Sequence, residues 1–292
     1  MKVNHPGHSA AVLAAAALIF SLFAAPSTAR AEQRHPSPDE YAVQELVLID
    51  GSRLYGMVES DSPDAIVFKT TSGAIVTAAR DRIVSLRTVV GRISNGEFRR
   101  SDPNDTRLLF GPTGRSLAKG ETYLGVYEFF MPFVQVGITD YISIGGGTPL
   151  FFGIGDESQR PYWITPKVRL MSSAGTHVSA GVFHAFSGDG DRFGVAYGVV
   201  TKDVRGGSVT AGAGLGYTSE GDRGGVVMIG ADAPMRRNMK LVTENYVFRS
   251  GGVGSVGVRF FGENLSADVA VGIAFTPDGV FGLPVVNFVY RF

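Results

Sequence analysis

Leu265-Ser266-Ala267-Asp268-Val269-Ala270-Val271-Gly272-Ile273-Ala274-Phe275 reads as one long strand with two unlike faces. Side chains along a strand point alternately to opposite sides, so Leu265, Ala267, Val269, Val271, Ile273 and Phe275 share one face. Ser266, Asp268, Ala270, Gly272 and Ala274 share the other. A stretch of this length is about twice an ordinary soluble strand and matches a tilted strand crossing a bilayer. The turn signal Thr276-Pro277-Asp278-Gly279 follows, and then a second alternating strand, 285–292, with Val286, Phe288, Tyr290 and Phe292 on one side.

The same alternation runs back to Gly120. Strands are expected at 121–131, 133–138, 141–148, 161–171, 176–186, 192–202, 207–218, 224–234, 239–249, 253–262, 265–275 and 285–292. The turn between the first two, Met131-Pro132, is a poor one, and ten strands are the alternative to twelve. Bulky residues gather on one face: Phe193, Val195, Tyr197 and Val199; Val209, Ala211, Ala213, Leu215 and Tyr217; Val256, Val258 and Phe260. Gly, Ser and Thr gather on the other. Hydrocarbon can solvate a bulky outer face, and closure satisfies every backbone group, so an all-β, closed antiparallel transmembrane β-barrel is predicted. Short turns at 139–140, 172–175, 203–206, 235–238 and 263–264 belong on the periplasmic side, and the longer breaks at 149–160, 187–191, 219–223 and 276–284 outside.

Composition agrees. Charged residues make up 18% of the chain against roughly 25% in soluble domains, and the 39 glycines are about twice the usual share. Residues 1–31 resemble a signal peptide: Lys2, an uncharged run from Ala10 to Ala25, and Ala29-Arg30-Ala31 as a cleavage site before Glu32. Losing Lys2 and Arg30 would leave 25 of the 27 basic residues against 27 acidic ones, a nearly neutral chain. The absence of Cys excludes disulfides and a lipoprotein anchor.

Between the signal and the barrel lie a flexible leader (32–44), a small β module (45–90) and a linker (91–120). The module carries five short strands at 45–49, 54–60, 65–70, 74–78 and 83–89, separated by tight turns, and resembles an SH3-like or Sm-like small barrel. Some relatives of that fold bind RNA, but acidic and basic residues balance here, so nucleic acid is not an expected partner. The linker has a basic bias from Arg92, Arg99, Arg100, Arg107, Arg115 and Lys119. It reads as a solvated joint or, less readily, a contact to anionic lipid.

Two resemblances sharpen the picture. The terminal Val286, Phe288, Tyr290 and Phe292 resemble the C-terminal signal that barrel-assembly machinery reads in bacterial outer-membrane proteins. The chain as a whole is similar to a family of uncharacterised outer-membrane barrels with a small N-terminal β module. That likeness rests on Asp102-Pro103-Asn104-Asp105-Thr106-Arg107, Phe110-Gly111-Pro112-Thr113, Lys119-Gly120-Glu121, Gly137-Ile138-Thr139-Asp140, Ser143-Ile144-Gly145-Gly146-Gly147 and Leu241-Val242-Thr243-Glu244-Asn245. It implies a location in the outer membrane of a Gram-negative bacterium with the module in the periplasm, and no activity.

Chemistry-bearing motifs are few. His177-Val178-Ser179 has the His-x-Ser spacing of outer-membrane lipid hydrolases, in which imidazole takes the hydroxyl proton. The longer motif of those enzymes is absent and the pair falls at the periplasmic end, so a chance pair is preferred. His184 reads as an interfacial or packed residue. Asp189-Gly190-Asp191 is too small a ligand set for Ca²⁺, Gly212-Ala213-Gly214-Leu215-Gly216 lies within a strand, and no cluster suggests zinc. No cofactor is expected.

The inner face therefore carries the functional reading. Glu128, Trp163, Thr165, Lys167, Arg169, Arg259 and Asp268 are the candidate lumen-lining residues, either flanking an aqueous pore or pairing to close it. Porin-like passive passage of small solutes is expected. The alternative is a sealed barrel anchoring a module that touches a periplasmic protein or peptidoglycan through 45–90, and a lipid hydrolase ranks third.

Overall fold

The computed structural model describes residues 41–94, 96–150, 160–204, 206–277 and 279–292. The expected signal peptide and the leader up to residue 40 lie outside the described residues. The described strands form two sheets.

The first sheet has the order β4-β3-β2-β1-β5-β6, all neighbours antiparallel: β1 (Tyr41–Leu48), β2 (Arg53–Asp61), β3 (Ala65–Thr70), β4 (Ile75–Ala79), β5 (Ile83–Ser94) and β6 (Glu97–Arg100). It departs from the expected five strands at both ends. β1 begins inside the stretch read as leader, and β5 and β6 extend through residues assigned to the linker. The reason is core composition: Val43, Val89 and Phe98 make a second small core beside that of Leu46, Ile66, Phe68 and Ala78. Tyr55 stacks on Phe98 at 4.5 Å between ring centroids.

The second sheet closes on itself. It comprises β7 (Thr122–Tyr127), β8 (Met131–Gly137), β9 (Ile142–Gly147), β10 (Tyr162–Ile164), β11 (Lys167–Ser173), β12 (Thr176–Phe186), β13 (Arg192–Val204), β14 (Gly207–Thr218), β15 (Arg223–Arg236), β16 (Met239–Phe248), β17 (Gly251–Phe261), β18 (Leu265–Thr276) and β19 (Gly279–Arg291). β10 and β11 both pair with β9 and β12, so they share one position in the wall. Pro166, which has no N–H, interrupts what the sequence suggested as a single strand over 161–171. Twelve wall positions result, and β19 pairs with β7 to close the seam, Arg291 opposite Tyr123 and Asn287 opposite Tyr127. The barrel is thus closed, antiparallel and twelve-stranded.

The hairpin between β7 and β8 turns at Glu128-Phe129-Phe130 rather than at Met131-Pro132. Glu128 and Phe129 adopt φ of 51° and 64°, and Glu128 N–H donates to the Val286 carbonyl. The short turns near 139–141, 174–175, 237–238 and 262–264 lie at the proximal end, which carries Phe292; the described turns near 187–191 and 219–222 lie at the loop end.

Alternation places Leu265, Val269, Val271, Ile273 and Phe275 outside, and Ser266, Asp268 and Ala270 inside. One strand reverses the expected faces. On β13, Val195, Tyr197 and Val199 line the lumen while Ala196 and Val200 face out. The interior there is apolar, so a bulky residue is as well accommodated inside as outside.

Candidate functional site

Residues 102–117, read as part of a linker, occupy the proximal half of the barrel. Beyond β6 the chain enters the lumen from the proximal end, doubles back, and leaves at the same end to begin β7. Asp102, Asn104, Thr106, Arg107, Leu108, Leu109, Thr113 and Leu117 are all buried. The tip is a tight hairpin: Arg107 bridges Pro112, Leu108 N–H donates to the Gly111 carbonyl at 2.9 Å and Thr113 N–H to that of Thr106 at 3.0 Å. The expectation of a solvated joint fails for 102–117, because inward polar residues of the wall supply the partners that water would otherwise provide.

Arg259 is the main clasp. Its fully buried guanidinium pairs with Asp268 at 2.5 Å and Asp102 at 2.9 Å, and donates to the carbonyls of Asn104 (2.6 Å), Arg107 (3.2 Å) and Leu108. A planar fork with five donors suits such a convergence of acceptors. Lys240 adds a second cation on Asp102 at 2.6 Å. Glu244 works in the opposite sense, accepting from the backbone N–H groups of Leu109 (2.8 Å), Phe110 (3.0 Å) and Gly111 (3.1 Å), and from the Tyr246 hydroxyl (2.7 Å). On the far wall, Lys167 Nζ donates to the carbonyls of Thr106, Thr113 and Arg115, Ser179 Oγ to Gly114 at 2.7 Å, and Gly114 N–H to Thr201 Oγ1 at 2.8 Å.

Glycine lets the plug lie close against the wall, most strictly at Gly114, where the neighbour is backbone. A Cβ on Gly114 would sit 2.1 Å from the His177 carbonyl oxygen, and one on Gly111 2.3 Å from the Tyr246 hydroxyl.

Between the plug and the loop end the lumen widens into a chamber of about 540 Å³, within the usual range of small-molecule sites. Its walls are aromatic and aliphatic, with Tyr127, Phe133, Trp163, Phe183, Tyr197 and Tyr246 prominent, and Phe110 at the plug tip projects into it. Arg107 lies on the floor, its guanidinium 4.2 Å from the Phe133 ring centroid and 4.8 Å from that of Tyr123.

Of the residues singled out from the sequence, Trp163, Thr165 and Lys167 border the chamber. Arg259 and Asp268 are inward but belong to the clasp of the plug. Arg169, paired with Ser179 in the register, stands over the exposed Tyr141 ring at the proximal rim, 5.2 Å from its centroid, and does not border the chamber. Glu128 sits in the β7–β8 turn, with its carboxylate 3.4 Å from the Val286 N–H, and does not line the lumen, because the hairpin turns there. The C-terminal residues Val286, Phe288, Tyr290 and Phe292 share the outer face of the last strand.

His177 and Ser179 both point inward, yet they are not hydrogen-bonded to each other. Ser179 is committed to Gly114, while His177 Nδ1 is 2.9 Å from Ser172 Oγ and its Nε2 is 3.6 Å from Asp203. His184 lies outside at the loop end, 2.9 Å from the Tyr217 hydroxyl and stacked near Phe186. The Asp189 carboxylate accepts from the Ser187 hydroxyl and the Asp191 N–H of its own turn. No cluster of metal-ligating side chains occurs among the described residues.

The proximal mouth meets the N-terminal sheet. Glu45, fully buried, accepts from Arg53 (3.2 Å), Tyr55 (2.8 Å), Arg87 (2.8 Å) and Arg100 (2.7 Å). Burial alone would raise its pKa, but donation from Tyr55 and Arg87 and the charge of Arg100 outweigh it and hold the group at about 2. Arg87 and Arg100 also reach Glu263 in the β17–β18 turn, at 2.6 and 3.7 Å. Arg237 of the β15–β16 turn lies 5.7 Å from the Tyr55 ring centroid.

Lys240, Asn287 and Arg291 went unnoticed in the sequence, and Glu244 stood there only within a motif, with no role given to it. Each is a charged or amide residue on the inner face of a strand, and each holds the plug or its stem.

No family model matches the chain, and no curated protein does either. Among solved structures, a KdgM porin in complex with disordered oligogalacturonate aligns at 10% identity and a TM-score of 0.45, over 59% of this chain and 98% of that one. The KdgM porin on its own aligns at 9% identity and 0.45 over the same shares. A NanC porin aligns at 8% identity and 0.39, over 59% of this chain and 97% of that one. This chain is similar to them; its closed barrel rests on its own strand pairing.

Proposed function

We propose that this chain is an outer-membrane β-barrel that takes small solutes into its lumen and passes them, porin-like, when the 102–117 hairpin yields. One observation carries the reading. The wall does not fill its own interior: what blocks it is a separate hairpin, held by hydrogen bonds and ion pairs rather than by membership of the sheet. The outer face supports a membrane location. β12 to β19 run 10 to 14 residues and present Leu215, Val227, Ile229, Val256 and Val269 outward, as a lipid-facing band requires.

The N-terminal sheet then lies on the periplasmic side, and its first five strands with the single 3-10 turn between β4 and β5 support the SH3-like reading. Its partner would be a periplasmic protein or peptidoglycan, and Val286, Phe288, Tyr290 and Phe292 would serve the assembly machinery. A second reading is favoured by the density of the clasp: a sealed barrel that anchors the N-terminal sheet.

Single-channel recording in planar bilayers separates the two. The intact chain is expected to give brief, small current steps. Replacing residues 103–116 with a short Gly/Ser linker is expected to enlarge the step at least fivefold. Silence from both proteins, each shown to be folded and inserted, would leave only the sealed anchor.

A further inference from the structure

Buried charge is costly unless an opposite charge is near, and the floor of the chamber departs from that rule. Arg107 is 7% exposed. Its Nη atoms donate only to neutral acceptors: the Tyr127 and Tyr123 hydroxyls and, at 3.0 Å, Gln135 Oε1. Its Nε has no hydrogen-bond partner, and no carboxylate among the described residues is within ion-pair reach. The rings of Phe133, Tyr123 and Tyr127 offset part of the cost by cation–π attraction.

Lys167, also on this floor, gives its protons to three carbonyls. Of the nearby carboxylates, Glu244 is turned to the backbone of the plug and to Tyr246, and Asp105 acts on Lys167 and Arg115 rather than on Arg107. A wall of aromatic and aliphatic surface therefore ends on a positive floor. Such a site discriminates twice: the wall selects an apolar body, and the guanidinium at its floor, with no carboxylate paired to it, selects a negative group.

From this geometry we infer that the chamber binds small amphipathic monoanions, with an aromatic or aliphatic body against Phe183, Trp163 and Tyr197 and a carboxylate-like group on Arg107. The inference deepens the reading of the barrel as a solute-admitting protein and rests on it. It also places the ligand in contact with the plug itself, since Arg107 and Phe110 belong to the hairpin.

Trp163 is the sole tryptophan of the chain and borders the chamber, so its emission reports occupancy. The full chain in lipid nanodiscs is titrated with phenylacetate, with the neutral phenylacetamide of the same shape, and with acetate, which has the charge without the ring. Phenylacetate is expected to give a saturable change at a concentration at least tenfold below either of the others. Arg107→Gln is expected to bring phenylacetate to the level of the amide, whereas Arg107→Lys, which keeps the charge, retains part of the preference.

Equal responses to acid and amide in the unaltered protein overturn the inference without recourse to any variant that might release the hairpin. An absent saturable response to phenylacetate overturns it too, as does undiminished phenylacetate binding by Arg107→Gln. Bilayer currents keep the two proposals apart. Selective binding without conductance upholds the anion site and removes passage; conductance without selectivity does the reverse.

Discussion

The two halves of the lumen are lined by the same strands and solve opposite problems. The proximal half is polar, and its Arg259, Lys240, Glu244 and Asp268 meet the hairpin nearly group for group. The half toward the loops is apolar and leaves about 540 Å³ unfilled. A strand such as β16 crosses from one regime to the other within a few residues, from Lys240 through Glu244 and Tyr246 to Phe248 on one face. Polarity along the inner face thus records what occupies the lumen at each depth. A wet pore would call for polar groups throughout; a hairpin calls for them only where it reaches.

The contrast can be broken most severely at its clasp. Arg259→Ala leaves Asp268 and Asp102 buried with fewer partners, and about 3–5 kcal/mol of stability is expected to go. Urea unfolding measures it, and amide exchange at 102–108 should rise in parallel. A loss below about 1 kcal/mol would mean that the hairpin is not held as described. Gly114→Val tests fit rather than charge. Its Cβ meets the His177 carbonyl, so a cost of about 1–3 kcal/mol is expected, together with longer channel openings; unchanged dwell times would break the link between seating and closure. The smallest effect belongs to the chamber. Phe183→Ala removes a ring that already faces open space, and about 1 kcal/mol is expected against the 3–5 typical of a packed Phe. A cost at the packed level would erase the difference between the halves.

The wall was legible because a period of two is a local signal that survives in any register. Strand number and proximal turns follow from it. The faces of β13 were not legible, since hydrocarbon and an aromatic chamber accept Val195, Tyr197 and Val199 alike. The hairpin was hidden for a different reason. Residues 102–117 have no period, and polarity, proline and glycine in such a stretch look the same whether the partner is water or the inside of a barrel. A signal was nevertheless present. Asp102 to Arg107, Phe110 to Thr113 and Glu244 all fell within the motifs on which the family likeness rested, and they prove to be the plug and the carboxylate that receives it. Inward Lys240, Asn287 and Arg291 also needed partners that the wall alone could not supply.

Both stems of the hairpin leave through the proximal mouth, one from β6 and one into β7. Its motion consequently has a direction. It can be drawn out toward the N-terminal sheet without unthreading anything, whereas no movement toward the loops would free it. An object arriving from the loop side pushes on the tip along the only path of retreat, and one arriving from the other side meets two tethered legs. Were the hairpin to yield as proposed, its tethers would let it do so in one direction only.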